Sequence, residues 1–288
     1  MSWKCFDLTF SIKSPIHIGY RKIGLLQRTR YYIPGKNLWA ALTAKMTSVL
    51  RNSPSGSDYK NIGNFIRENM IFSYFYLQKD KKSYLPEFIK GKGLVYGNLL
   101  QDEFERRFIT SIPSTAIDHE IGSAEYGSLH EIEVITGGDK EDKKPVDLGG
   151  HLFVREQENL ASSDNDIIFE SESIVRVLGD GIFVGGERSY GFGKICLEKI
   201  QKAKNSEYEL ENEVFIKLGK GDHIRAHLEV AKNVRLKGEI EAFSGREWGD
   251  EGSGRKKSKP LAAWVPGSIA IDDYRLKVTE FGILRNSL

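Results

Sequence analysis

The sequence predicts an α+β protein whose sheets are antiparallel. Period-two alternation of apolar and polar residues dominates, helical-period runs are few, and Gly or Pro punctuates the chain between them. With 288 residues there is room for one large domain or two smaller ones. Apolar residues at 40% and charged residues at 28% exclude a disordered chain. No run approaches about 18 apolar residues, so no membrane span is expected. Ser2, Trp3 and Lys4 open the chain without an apolar signal core, which predicts a cytoplasmic protein. The two cysteines, Cys5 and Cys196, sit in alternating runs, as small buried hydrophobes of a reducing compartment would.

Phe6, Leu8, Phe10 and Ile12 alternate with Asp7, Thr9 and Ser11, the pattern of a half-buried strand that Ser14 and Pro15 end. A loop is expected over 16–24, with Gly19 and Gly24 around a basic, aromatic centre. Tyr31, Tyr32 and Ile33 read as a short strand before a Pro34–Gly35 turn. Leu38, Ala41, Leu42, Met46, Val49 and Leu50 then place an amphipathic helix over 37–50, capped by Asn37. Residues 51–57 are a loop. A helix over 59–70, a strand over 71–77, a helical run over 99–108 and a strand over 128–135 follow. The segment 137–145 is almost wholly polar and reads as a mobile hairpin tip or insertion. Ile174, Val175 and Val177 read as strand-like and lead into a glycine-dense run. Later strands are expected over 194–200, 214–218, 224–230, 234–242, 268–271 and 275–280, with a flexible, Gly-rich basic loop over 248–260.

Charge is unevenly placed. Residues 1–50 hold eight Lys or Arg against one acid, a net +7, whereas residues 101–180 hold 19 acids against seven bases, a net −12. A basic segment beside an acidic one suggests a polyanion on one face and a basic protein neighbour on another. The basic stretch from His17 carries Tyr20, Arg21, Lys22, Arg28 and Arg30 without an acid, and such a stretch neutralises several phosphates. The alternative is a solvated loop whose side-chain stems pack on the core.

The glycine run is the second candidate. Gly185, Gly186, Gly191 and Gly193 allow close backbone approach and turn amides toward phosphate. Arg188 and Lys194 add charge, while Tyr190 and Phe192 offer faces for base stacking. The spacing fails the dinucleotide fingerprint at Val184 and the Walker loop at Arg188. The alternative is a tight strand connection in which glycine supplies positive φ. Among six histidines, 17, 119, 130, 151, 223 and 227, spacing singles out no catalytic base. His223 and His227 are four apart, but the residues between are strand-like and no third ligand is evident. No catalytic residue, metal or cofactor is assigned.

Four phrases in order resemble the RAMP superfamily of CRISPR-associated proteins. Ser14-Pro15-Ile16-His17-Ile18-Gly19 follows the first strand, and Tyr32-Ile33-Pro34-Gly35-Lys36-Asn37-Leu38-Trp39 resembles the family's Pro-Gly turn and first helix. Ile117-Asp118-His119 with Gly122-Ser123-Ala124 and Gly127-Ser128-Leu129 is similar to a further family segment, and 185–194 resembles its glycine-rich loop. The resemblance covers roughly residues 5–200, with Trp264-Val265-Pro266-Gly267-Ser268 the familiar phrase beyond. It implies a ferredoxin-like, RRM-related fold over 1–200, modified or duplicated and carrying loop insertions. A smaller β-rich region over 201–288, or a second ferredoxin-like half, would follow. It also implies crRNA binding among other type III complex subunits, the large polymerase-like subunit and backbone RAMP subunits included. Gly185, Gly186, Arg188, Gly191 and Gly193 would then form the RNA-contacting loop, with His17, Arg21, Lys22, Arg28 and Arg30 on the basic side. Target-cleaving backbone subunits carry an Asp before the Pro-Gly turn, and residues 14–36 contain no acid. The non-repeating cap that holds the guide 5′ tag is therefore the nearest match. A repeating backbone subunit or an endoribonuclease is the rival.

Overall fold

The computed structural model describes residues 2–156, 160–161, 168–169, 171–204, 207–249 and 252–287. Strand β1 (Trp3–Ile12) forms as its alternation requires. Leu8 and Phe10, with Phe6 and Ile12, turn to a core shared with the helices. Trp3 and Cys5 turn to a second core on the opposite face.

The hairpin β2 (Gly19–Ile23) and β3 (Leu26–Thr29) occupies the basic stretch expected as a loop, turning at Gly24. After β4 (Tyr32–Ile33), α1 runs Gly35–Leu50, two residues earlier than predicted. Pro34 is its N-cap, with no side-chain hydrogen bond, and the Asn37 amide donates to Pro34 O at 2.9 Å. Asn37 is thus inside the first turn and caps nothing. Helix α2 (Gly56–Asn69) starts at a reciprocal Ser55–Asp58 capping box. The strand expected over 71–77 is split into β5 (Met70–Phe72) and β6 (Phe75–Lys79). Helices α3 (Gln101–Phe108) and α4 (Ser171–Gly179) follow later. In α4 the buried Ile174, Val177 and Leu178 lie at helical spacing, so the strand-like expectation there is corrected.

The principal sheet is antiparallel, in the order Ile182–Phe183, Lys194–Lys202, β1, Asp147–Arg155, β6, β4, with β5 also on Asp147–Arg155. Along the chain β1, β6, Asp147–Arg155 and Lys194–Lys202 come first to fourth; in space they stand fourth, first, third, second. Helices α1, α2 and α4 cover one face. The other face meets a second sheet over 208–286, in the order Tyr208–Leu210, Val214–Leu218, Tyr274–Val278, Leu284–Asn286, Leu228–Glu229, Leu261–Trp264, Ile240–Phe243. No helix occurs among the described residues from 207 to 287. The chain is mostly sheet with few helices, a mixed α and β protein.

The polar segment 137–145 is tethered, contrary to expectation. Asp139 is buried and accepts from Lys79 Nζ and from Arg107 Nη2. The 248–260 segment is in part a ribbon pairing Arg246–Gly249 with Gly252–Lys257.

Candidate nucleic-acid interface

The two bends singled out from sequence meet. The Gly186 amide donates to His17 O at 2.9 Å, the Gly193 amide to Pro15 O at 2.7 Å and the Lys194 amide to Ser14 Oγ at 2.9 Å. A short 3₁₀ turn, Arg188–Tyr190, forms the crest of the glycine run. The β2–β3 hairpin extends from the same junction into a four-stranded sheet. In it β3 runs parallel to His130–Ile135, which pairs with Ile109–Ser114.

Several predicted residues face inward. His17 is buried, and its Nδ1–H donates to Glu133 O at 2.7 Å. Arg28 pairs with Glu105 at 3.1 Å and Glu133 at 3.4 Å. Arg30 pairs with Glu241 at 2.7 Å, donates to the Tyr32 hydroxyl at 3.0 Å, and packs over the rings of Tyr20 and Phe243. Both arginines are thereby neutralised internally. Phe192, read as a stacking face, is buried against Ile132 and Val134. A Cβ on Gly193 would lie 2.0 Å from Val184 O, so this glycine serves close packing of the loop on itself. The amides of Gly186, Gly191 and Gly193 are spent on internal hydrogen bonds, which removes them as phosphate donors.

The remaining predicted side chains face solvent. Every residue of β2 is exposed, so Tyr20, Arg21 and Lys22 stand on an open strand, with the Arg21 guanidinium over the Tyr20 ring. Arg188, Tyr190, Gly191 and Lys194 are exposed too, and Tyr190 is 56% accessible. Gly185 and Gly186 are half-buried beneath them. Arg21, Lys22, Arg188 and Lys194 make no ion pair among the described residues. Arg188 donates weakly to Gly185 O at 3.4 Å. Part of its surface is open, yet neighbouring protein atoms strip enough water from the guanidinium to push its pKa down, with no carboxylate to offset the loss.

Three partners of the interface carried no local signal. Glu133 accepts the Thr29 amide at 2.8 Å as well as the Arg28 guanidinium, so it fixes the base of the hairpin. Glu241 accepts from His227 Nε2–H at 2.6 Å, and the Tyr74 hydroxyl donates to His227 Nδ1 at 2.7 Å. Burial pushes the His227 imidazole down, while His227 and Arg30 hold Glu241 below the usual carboxylate range against its own burial. Glu133 was visible only as the polar partner of Ile132 and Val134 in an alternating strand. Elsewhere, no three His, Cys, Asp or Glu side chains converge among the described residues.

No protein-family model and no curated protein sequence matches this chain. The fold does have solved counterparts. A chain of a type III-B Cmr-beta complex bound to cognate target RNA and AMPPnP superposes with a TM-score of 0.56 at 13% identity, covering 92% of this chain and 85% of that one. A second Cmr-beta chain, from a complex bound to cognate target RNA, gives 0.54 at 12% identity over 92% and 86%. At such identities the likeness is one of fold. No helix among the described residues is long and apolar enough to cross a membrane.

Proposed function

We propose that this chain is a guide-RNA-holding subunit of a type III CRISPR ribonucleoprotein, and that it grips RNA without cutting it. The observation that carries the proposal is the junction itself. Two bends are hydrogen-bonded together and present Arg21, Lys22, Arg188 and Lys194 outward without counter-charges among the described residues. Phosphate contacts of this kind position a strand without reading its sequence. Tyr20 and Tyr190 supply exposed faces for stacked bases. The role as the cap that holds the crRNA 5′ tag belongs to this reading. So do a ferredoxin-like domain over 1–200 and a smaller β-rich region over 201–288. The fourth-first-third-second strand order supports the ferredoxin-like assignment. The fold likeness to chains of Cmr-beta complexes bound to target RNA supports the setting.

Neighbouring subunits, a large polymerase-like subunit and backbone RAMP subunits among them, would meet the acidic arm. Residues 111–139 contain no Lys or Arg, and Ile117, Ile121 and Tyr126 stand exposed there beside Asp118, Glu120 and Glu125. That combination suits a basic, apolar protein surface better than a phosphate backbone.

The test measures single-stranded RNA binding to the intact protein across a salt series. Arg21→Ala with Arg188→Ala removes two contacts, which lowers the slope of log K against log salt by about 1.4. An unchanged slope and affinity refute the interface. The endoribonuclease reading is separated by incubating labelled RNA with the protein, with and without EDTA. Specific cleavage lost in His17→Ala would overturn the non-catalytic assignment.

A further inference from the structure

Beside the second core, part of the principal-sheet face turned toward the second sheet is polar where an apolar floor would be expected. Strand register sets Gln201, Asp7 and His151 side by side in one row, and Lys199, Thr9, Gly149 and Tyr76 in the next. Over these rows the second sheet leaves a cavity of about 450 Å³. A cavity of about 280 Å³ adjoins it along the seam, and the 3.0 Å ion pair of Arg225 with Glu207 borders both. The larger lies within the ~300–1,000 Å³ usual for small-molecule sites.

Two imidazoles line the seam. His223 lines the smaller cavity, and its Nε2 is buried with no hydrogen-bond partner among the described residues. In the larger cavity His151 Nδ1–H donates to Asp7 Oδ1 at 3.0 Å, and Gln201 Nε2 donates to Asp7 Oδ2 at 3.3 Å. That arrangement holds Nδ1–H on Asp7 and leaves His151 Nε2 free, so with a second proton on Nε2 the imidazolium donates to an incoming anion while Asp7 balances its charge.

Charge and shape narrow the class. Lys81 and Lys199 line the larger cavity without an ion pair among the described residues. The carboxylates nearby compete weakly with a ligand anion. Asp7 is held by His151, and Glu207 by Arg225. Burial and the neighbouring Glu198 push Asp147 up, and Asp80 stays on the exposed rim. Leu85, Ile216 and Val278 supply apolar lining to the same cavity. An anionic end joined to a flat apolar end matches this mixed lining.

We propose that the seam binds a phosphorylated nucleoside, its base against Leu85, Ile216 and Val278 and its phosphate toward Lys81, Lys199 and His151. A free nucleotide and the terminal nucleotide of an RNA strand share that chemistry. The site is separate from the loop junction and does not depend on it.

The experiment is calorimetric titration of the full-length protein with AMP and with the 5′-phosphorylated dinucleotide pApA. Saturable binding is expected, weakened at least tenfold in Lys199→Ala and in His151→Ala, and unchanged in the Arg21→Ala, Arg188→Ala double variant. Saturation by AMP identifies a free-nucleotide site; saturation by pApA alone identifies an RNA end. If His151→Ala fails to fold, Lys199→Ala, at an exposed position, carries the test. Absence of saturable binding by both probes overturns the proposal, as does binding undiminished in Lys199→Ala. Because the loop variant is titrated in parallel, failure at the seam stays distinct from failure of the RNA grip.

Discussion

Replacing Gly185 by Ala probes the contact that locks the two bends together. Gly185 has φ +81°, and a Cβ there would fall 2.1 Å from the carbonyl oxygen of His17 and 3.0 Å from Ile18 Cδ1. Left-handed backbone alone costs an alanine roughly 1–2 kcal/mol. The clash is with backbone of a buried residue, so it is relieved only if the loops part. Parting breaks the 2.9 Å bond from the Gly186 amide to His17 O. Losing that bond adds about 1 kcal/mol, for a total on the order of 3 kcal/mol once Ile18 shifts. Gly191 is the internal control. It has φ +78°, but a Cβ there meets nothing within 4 Å. Gly191→Ala should therefore lose only the backbone part, roughly 1 kcal/mol. Urea unfolding of the two variants, read as ΔΔG from midpoint and slope, separates them. Losses that agree within about 0.5 kcal/mol, the scatter of neutral surface changes, would refute the argument that this carbonyl contact holds the junction.

Further outcomes follow from the same packing. Asp139→Ala strands Lys79 and Arg107, and should cost about 3 kcal/mol in chemical denaturation. That is the low end for a broken buried pair, because water reaches the rim at Asp142 and Glu141 and screens it. Acid should weaken the fold in two stages, measured as urea midpoints from pH 8 to 3. The His227 imidazole is held below its ordinary value, so the unfolded chain takes up a proton the folded one refuses, and stability falls as pH drops below about 6.5. Asp139 is held well below the carboxylate range, so its contribution is full at neutral pH and is lost as pH falls below about 4. His227→Gln should remove the first stage and keep the second. Phe192→Ala should cost about 3–5 kcal/mol by opening a cavity beside Ile132 and Val134. Tyr190→Ala should spare stability and weaken RNA binding by about 1–3 kcal/mol if a base stacks there.

Some of this architecture was legible in the sequence for a plain physical reason. β1 alternates because one row faces the helices, and α1 and α3 repeat at helical spacing because one stripe of each is buried. In α4 the β-branched Ile174, Val175 and Val177 suggested strand, although Ile174, Val177 and Leu178 already carried the helical period. The 137–145 segment looked mobile because its order comes from Lys79, about 60 residues away, not from an apolar pattern. Glycine content alone points to phosphate, yet Gly185 and Gly193 leave room for neighbouring carbonyls that a Cβ would meet at about 2 Å, a constraint no local pattern reports. Arg28 and Arg30 could not be told from Arg21 and Lys22 by composition. Their acids lie 77 and 105 residues away for Arg28, and across the second sheet at Glu241 for Arg30.

The charge asymmetry has a stricter meaning in the fold than in the sequence. Of the eight cations in residues 1–50, Lys4, Lys13, Arg28, Arg30 and Lys36 pair with Glu156, Glu198, Glu105 and Glu133, Glu241, and Glu247. Most of the +7 is therefore closed inside the molecule, by Glu105, Glu133 and Glu156 of the acidic segment, Glu198 of the principal sheet, Glu241 of the second sheet and Glu247 of the ribbon. What is left at the junction is Arg21 and Lys22 from β2 with Arg188 and Lys194 from the glycine run. Four cations release at most four counterions, and single-stranded RNA returns about 0.7 per neutralised phosphate. The log–log salt slope for RNA binding by the isolated chain should consequently stay near −3. A slope near −6 would mean that about twice as many phosphates are held. The grip would then extend well beyond the two bends, and the inward pairing of Arg28 and Arg30 would have to open when RNA arrives.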